Sequence, residues 1–306
     1  MKILIIGLGS IAKKHIDAIK KINPSTEIIA LRSNSNSFLF GGIINIYNVS
    51  EIPSNIDFIL ISNPTSLHAE AISSIIHLEK PIFIEKPVFD TLLNKDKLIK
   101  ILLEKNIKTY VGCNFRFHPA IIFLKNYLRD NQLKINEINI YCGSYLPNWR
   151  LNQDYTKSYS SNKFLGGGVH LDLIHELDFT IWIFGEPANY TLIKRKVSNL
   201  LIDSVDYCHY NLIYPDFNVN ITLNYYRSKP KREIEIVFEN EILVCDLLTS
   251  TIINCENKIL FQDVEFNFSK TYLSQMNYFI NNLENRNDYM NNIQESIRIL
   301  KIAIND

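Results

Sequence analysis

The sequence predicts an α/β protein in two parts: a parallel sheet with helices on both faces, then an α+β domain around a mostly antiparallel sheet. Two patterns carry this. Up to residue 113, short apolar runs alternate with helical patterns, which is how βαβ units and a doubly covered parallel sheet read. From residue 134 onward, strand candidates follow one another mostly without intervening helices, which favours antiparallel pairing. The length of 306 residues agrees, since roughly 150 residues make one domain.

Taken in order, KILII (2–6) is a strand, about 10–21 a helix and EIIAL (27–31) a second strand. IDFILIS (56–62) is a nearly continuous apolar run, as a strand buried on both faces requires, and TSLHAEAISSIIH after it has helical spacing. PIFIE (81–85) is a strand, TLLNKDKLIKILLEK (91–105) a helix and KTYVGC (108–113) a strand. Pro119 opens a helix after this last strand, so the expected domains are 1–116 and 117–306. In the second, KINEINIYCGSY (134–145) is one long strand, followed by a polar, aromatic loop and a helix over about 167–184. Strands are expected at 189–197, 204–213, 217–226, 232–238 and 241–246, and closing helices near 270–284 and 288–303.

Composition narrows the function classes. Hydrophobic residues at 46% and charged residues at 21% exclude a disordered or fibrous chain. Lys plus Arg (32) equals Asp plus Glu (32), so no net field draws nucleic acid or an anionic membrane. The five cysteines are widely spaced with no CxxC, which suits reduced thiols. The start MKILIIGLGSIAKKH lacks a small-residue cleavage site, and no apolar run reaches the ~18 residues of a membrane span. A cytoplasmic protein is expected.

Gly7-Leu8-Gly9-Ser10-Ile11-Ala12 lies between the first strand and the first helix, the context of a Rossmann dinucleotide turn. Gly7 permits the tight turn, Gly9 lets backbone approach a pyrophosphate, and Ala12 lets helix pack on strand; the N–H groups opening the helix at Ser10 and Ile11 face the phosphates. The second strand ends Ala30-Leu31-Arg32-Ser33, without the carboxylate that would hold an NAD ribose. Arg32 and Ser33 suit a 2′-phosphate instead, so NADP is favoured over NAD.

Glu85-Lys86-Pro87 ends a parallel strand, at the sheet edge where α/β proteins bind ligands. Lys86 there can donate to a substrate oxygen and assist proton transfer. In the helix expected over 167–184, Leu173, Ile174, Leu177, Ile181 and Phe184 form an apolar stripe, opposite Asp172, His175 and Glu176. Three residues apart on one helix, Asp172 and His175 could share a hydrogen bond that raises imidazole basicity; a plain solvated face fits the same spacing. His170 and His175 diverge on a helix and HExxH is absent, so no metal is expected.

Together these pieces resemble the Gfo/Idh/MocA oxidoreductases (glucose–fructose oxidoreductase, inositol dehydrogenase and relatives). The likeness runs through GLGSIA, Asn63-Pro64-Thr65-Ser66-Leu67-His68, Glu85-Lys86-Pro87, Asn114-Phe115-Arg116-Phe117-His118-Pro119 and the Gly166-Gly167-Gly168…Asp172…His175 segment. It implies a Rossmann domain plus an open-faced second domain, with hydride transfer between nicotinamide and a hydroxyl-bearing or keto carbon of a sugar or cyclitol. Lys86 matches the family's EKP lysine, and Asp172 and His175 its Asp/His pair, although many members carry one residue more between those two. Glu85 and the Asn63–Thr65 turn match positions bordering the cofactor, and His68 and Asn114 lie in the same matched motifs. The family's habit also implies a homodimer or homotetramer.

The string Ser144-Tyr145-Leu146-Pro147-Asn148-Trp149-Arg150, with Asp154-Tyr155 and Ser158-Tyr159, looks similar to a subgroup linked with surface-polysaccharide sugars. The expected substrate is therefore a sugar, nucleotide-activated or acidic, gripped by Arg116, Tyr145, Trp149, Arg150 and Tyr155. Two rivals stay open: a non-redox epimerase or eliminase with tightly held nicotinamide, and a non-catalytic NADP-binding sensor.

Overall fold

The computed structural model describes residues 1–33, 41–150, 153–285 and 289–305, which form two compact units. The first comprises Met1–Cys113 and Ser269–Lys301; the second comprises Asn114–Phe268 and the last residues from Ile302.

The first unit is built on six parallel strands: β1 (Lys2–Ile6), β2 (Glu27–Leu31), β3 (Ile43–Ile46), β4 (Phe58–Ile61), β5 (Ile82–Glu85) and β6 (Thr109–Gly112). Their order, β3-β2-β1-β4-β5-β6, reverses direction of progress at β1/β4, the switch point of a doubly wound fold. All four residues in each of β4, β5 and β6 are buried, which accounts for their largely apolar sequences. Helices α1 (Ser10–Ile22), α2 (His68–Ile75) and α3 (Asp96–Glu104) connect strands. The expected helix at 91–105 thus begins only at Asp96, and β3 was not anticipated.

α7 (Phe268–Asn281) and most of α8 (Ile293–Ile304) complete this unit. Phe279 lies 5.0 Å from Phe58, 5.3 Å from Phe83 and 5.0 Å from Tyr289, ring centre to ring centre. Each such pair adds about 0.5–1.5 kcal/mol beyond area burial. The segment between the helices also closes the edge of β6: Val111 N–H donates to Asn291 O (2.9 Å), and the Asn291 amide donates back to Val111 O (2.8 Å). A free strand edge is thereby satisfied.

The second unit carries β7 (Ile135–Gly143), β8 (Asn189–Arg195), β9 (Tyr207–Ile213), β10 (Asn218–Asn224), β11 (Lys231–Phe238), β12 (Ile242–Asp246), β13 (Thr251–Asn254) and β14 (Ile259–Gln262). The order is β14-β13-β12-β11-β7-β10-β9-β8, antiparallel throughout except for β7 with β10. Alternate residues Ile138, Ile140, Ile221, Leu223, Ile234 and Ile236 are buried. The opposite face carries a cross-strand amide ladder, Asn211–Asn220–Asn139–Glu235, with 3.2 Å at each step. The fold class expected from the sequence is borne out, with β13 and β14 added to it.

Helices α4 (Pro119–Asn131), α5 (Val169–Asp172) and α6 (His175–Phe184) belong to this unit. The single helix expected over 167–184 is two helices, because Leu173 (φ −101°, ψ 33°) leaves helical geometry. The plain solvated face, one of the two readings of Asp172, His175 and Glu176, is excluded by burial: these three, with His170 and Asp178, are each at most 8% exposed. Among the described residues no helix is long and apolar enough to cross a membrane.

Candidate active site

In the first unit the site grows from the β1–α1 turn. Gly7 sits at φ +93°, and a Cβ there would stand 2.3 Å from the Asn63 backbone nitrogen, so no side chain fits. Gly9 is the opposite case: a Cβ would meet nothing within 4 Å. It is the N-cap of α1, which has no side-chain cap and no acid in its first turn. The N–H groups at Ser10 and Ile11 and the positive end of the helix dipole therefore face open space beside Gly9. This cradle fits the pyrophosphate of a dinucleotide.

The β4 side of the turn is tied down locally. Ser62 Oγ donates to Gly7 O (2.8 Å), and the Asn63 amide donates to Leu67 O (3.3 Å) across the Pro64–Thr65 turn. His68, expected at the cofactor, is a strut instead. It is 1% exposed, with Nδ1 3.1 Å from Val88 O and Nε2 3.1 Å from Asn63 O, and burial lowers its pKa.

At the C-terminal end of β5, Glu85 is buried, with Oε1 2.5 Å from His15 Nε2 and Oε2 accepting the Lys86 backbone N–H (3.2 Å). Sequence reasoning missed His15, whose signal was its place beside Ala12, Ala18 and Ile19 on the buried face of α1. Lys86 is half-buried. At the end of β2, Arg32 is half-buried and donates to Asn45 Oδ1 (2.8 Å), while Ser33 is exposed.

In the second unit the chain reaches Asp172 through a turn that only glycine can make. A Cβ on Gly167 would lie 2.2 Å from Tyr159 O. Asp172 accepts from Tyr225 Oη at 2.5 Å. Asp172 closes α5 and His175 opens α6, with Leu173 out of helical geometry between them, so the two do not lie on one continuous helix. The His175 ring packs on Phe115 at 4.9 Å. Trp149 stands edge-on to Tyr225 (5.3 Å) and donates to Ser144 Oγ (2.8 Å); the Arg150 guanidinium lies 5.7 Å over the Tyr159 ring. Tyr145 and Trp149 remain 37% exposed, whereas the half-buried Tyr155 accepts Leu201 N–H through its hydroxyl (3.3 Å).

Arg116 does not serve as a substrate grip. It is 1% exposed and gives Nε and a terminal nitrogen to Asp178 at 2.9 and 2.7 Å. Glu176 is likewise held by Arg232 (2.6 and 2.9 Å), whose guanidinium stacks 3.7 Å over Phe115. Asn114 is buried at the start of the following 3-10 turn. His170 is buried and its pKa is pushed down to about 3, by burial first and then by Lys194. Among the described residues no group of three or more His, Cys, Asp or Glu is arranged to hold a metal.

Residues 1–113 match the family described as "Oxidoreductase family, NAD-binding Rossmann fold". An inositol 2-dehydrogenase of Rhizobium meliloti is 24% identical over 66% of this chain and 61% of its own length. The chain spans 55% of the length of an oxidoreductase of Bacillus subtilis and 61% of that of the inositol 2-dehydrogenase. Among solved structures, a levoglucosan dehydrogenase in complex with NADH superposes with a TM-score of 0.86 at 14% identity, covering 99% of this chain and 95% of that one. The UDP-N-acetylglucosamine 3-dehydrogenase of Acidithiobacillus ferrooxidans gives a TM-score of 0.79 at 17% identity, covering 100% and 96%. At these identities the structural likeness establishes the fold.

Proposed function

We propose that this chain, which belongs through residues 1–113 to the Gfo/Idh/MocA oxidoreductase family, moves a hydride between a nicotinamide cofactor and a secondary alcohol or ketone carbon of a sugar or polyol. The observation that carries the reading is the uncapped N-terminus of α1, opened by Gly9 at the switch point of a parallel sheet. The names of the similar proteins, dehydrogenases of inositol, levoglucosan and a UDP-sugar, support the substrate class.

When bound, the nicotinamide supplies or accepts the hydride. Lys86 donates to the substrate oxygen and stabilises negative charge developing on it. His175 takes or gives the hydroxyl proton, and Asp172 positions His175. Tyr145, Trp149 and Arg150 suit the face and anionic groups of a sugar. NADP is the favoured cofactor: Arg32, oriented by Asn45, and Ser33 stand where an NAD-reading carboxylate is missing. Assembly as a homodimer or homotetramer follows the family resemblance.

The test is to titrate the purified protein with NADPH and with NADH, following nicotinamide fluorescence, and then to assay oxidised sugars. Tight NADPH and weak NADH are expected; binding of neither by folded protein overturns the reading. Lys86→Met should lower kcat by about a hundredfold or more while leaving cofactor affinity intact. Unchanged turnover removes Lys86 from the mechanism.

A further inference from the structure

His15 is a buried histidine for which the reaction outlined above has no use. It lies on the inner face of α1 with Ala12, Ala18 and Ile19 and is 0% exposed. Leucine would fill such a place without the cost of taking a polar ring out of water, which only a hydrogen bond offsets. Among the described residues Nδ1 meets no hydrogen-bond partner, while Nε2 stands 2.5 Å from Glu85 Oε1. The tautomer that satisfies this contact carries its proton on Nε2 and donates it to the carboxylate. Three neighbours fix the pair. The imidazole stands edge-on to Phe83, two residues before Glu85 on the same face of β5 (4.9 Å), and to Tyr272 of α7 (5.7 Å). Gly112 on β6 pairs with Glu85, and a Cβ there would come to 3.2 Å from Glu85 Oε1 and 3.0 Å from the Phe83 ring, so glycine leaves the carboxylate its room. The other carboxylate oxygen, Oε2, accepts the Lys86 backbone N–H (3.2 Å). Hydrogen bonds thus run from the helix that opens at Gly9, through Glu85, to the peptide of Lys86.

We propose that His15 is a positioning residue: by donating to Glu85 Oε1 it fixes the carboxylate whose other oxygen holds the Lys86 peptide, and so sets where Lys86 stands at the end of β5. Without that donor the carboxylate turns about its Cγ–Cδ bond and releases the Lys86 N–H. A catalytic group displaced by about 1 Å loses roughly a hundredfold in rate. The proposal rests on the reading above that Lys86 serves the reaction.

Two amides of different reach test it. In His15→Gln the side-chain nitrogen lies as many bonds from the backbone as Nε2 and can still donate to Glu85; in His15→Asn it falls one bond short. His15→Asn should lower kcat by about ten- to a hundredfold with little change in NADPH Kd, and His15→Gln should recover most of that loss. In a Lys86→Met background His15→Asn should add almost nothing, because the group it misplaces is gone. Equal kcat in the two folded variants, or full additivity in that background, overturns the proposal: a role confined to core packing would lower thermal stability without separating the two rates. If the wild type turns over no sugar with either cofactor, or Lys86→Met turns over unchanged, the functional reading fails by itself. The tie is then decided by hydrogen exchange at the Lys86 amide. Exchange about tenfold faster in His15→Asn than in His15→Gln supports it, and equal rates overturn it. Should His15→Asn not fold, ¹⁵N NMR of the wild-type His15 ring decides: a proton on Nε2 supports the tie, and a proton on Nδ1 alone overturns it.

Discussion

Arg116 and Asp178 illustrate how a charged pair is committed to structure once water is removed. Both are at most 1% exposed, and the fork of the guanidinium closes on both carboxylate oxygens. Asp178→Ala leaves a buried cation unpaired and should cost about 3–5 kcal/mol, read as a fall in the urea midpoint. The apolar pair Arg116→Met with Asp178→Leu should recover most of that loss. This role could not be read from the sequence, where Arg116 stood in a motif of polar and aromatic residues and its partner lay 62 positions on. Residues whose constraint is local were legible: Gly7 is needed by the turn on which it sits, and Gly9 leaves open the space beside the start of α1. Asp172 was legible as a candidate, but its partner Tyr225 was not, because nothing in sequence spacing joins a broken helix to the residue that follows a strand.

At the scale of elements, α4 is capped by His118, whose Nδ1 accepts the Ala120 N–H (3.2 Å) while Nε2–H donates to Leu247 O (3.1 Å). Both nitrogens are thus engaged in the neutral ring, and burial pushes the pKa down to about 4. The sign follows from linkage. With the folded pKa below the unfolded value near 6.5, the unfolded chain binds the proton first, so stability is full above pH 6.5 and is lost as pH falls towards 4. The loss should reach about 3 kcal/mol from this residue, and His118→Asn, which keeps a capping oxygen, should flatten the slope in that window when urea unfolding is followed against pH. Elements with two-sided burial, such as β4 and β5, read clearly as apolar runs. The α5–α6 segment misled because its polar residues are buried too. Glu176, Asp178 and Asp172 find Arg232, Arg116 and Tyr225 on other elements, so polarity there did not mark solvent.

Across the whole molecule, the return of Ser269–Lys301 to the first unit is the feature the amphipathic pattern of α7 and α8 could not announce: an apolar stripe states that a helix packs, not against which sheet. Residues 1–113 expressed alone should lack a cooperative thermal transition, since the surface of Phe58, Phe83 and Tyr110 that Phe279 and Tyr289 cover would be bare. Supplying 269–301 through a flexible linker should restore the transition, as circular dichroism would record. Retention of cooperativity by 1–113 alone would count against this account.

The same return sets a timetable for the growing chain. The ribosome makes β6 well before Asn291 exists to close its edge, and everything from Asn114 to Phe268 must be translated in between. At 5–20 residues per second that interval lasts roughly 10–35 s. For that time the nascent sheet carries an unsealed strand and a bare aromatic face, so this protein should depend on chaperones during synthesis far more than its finished stability would indicate.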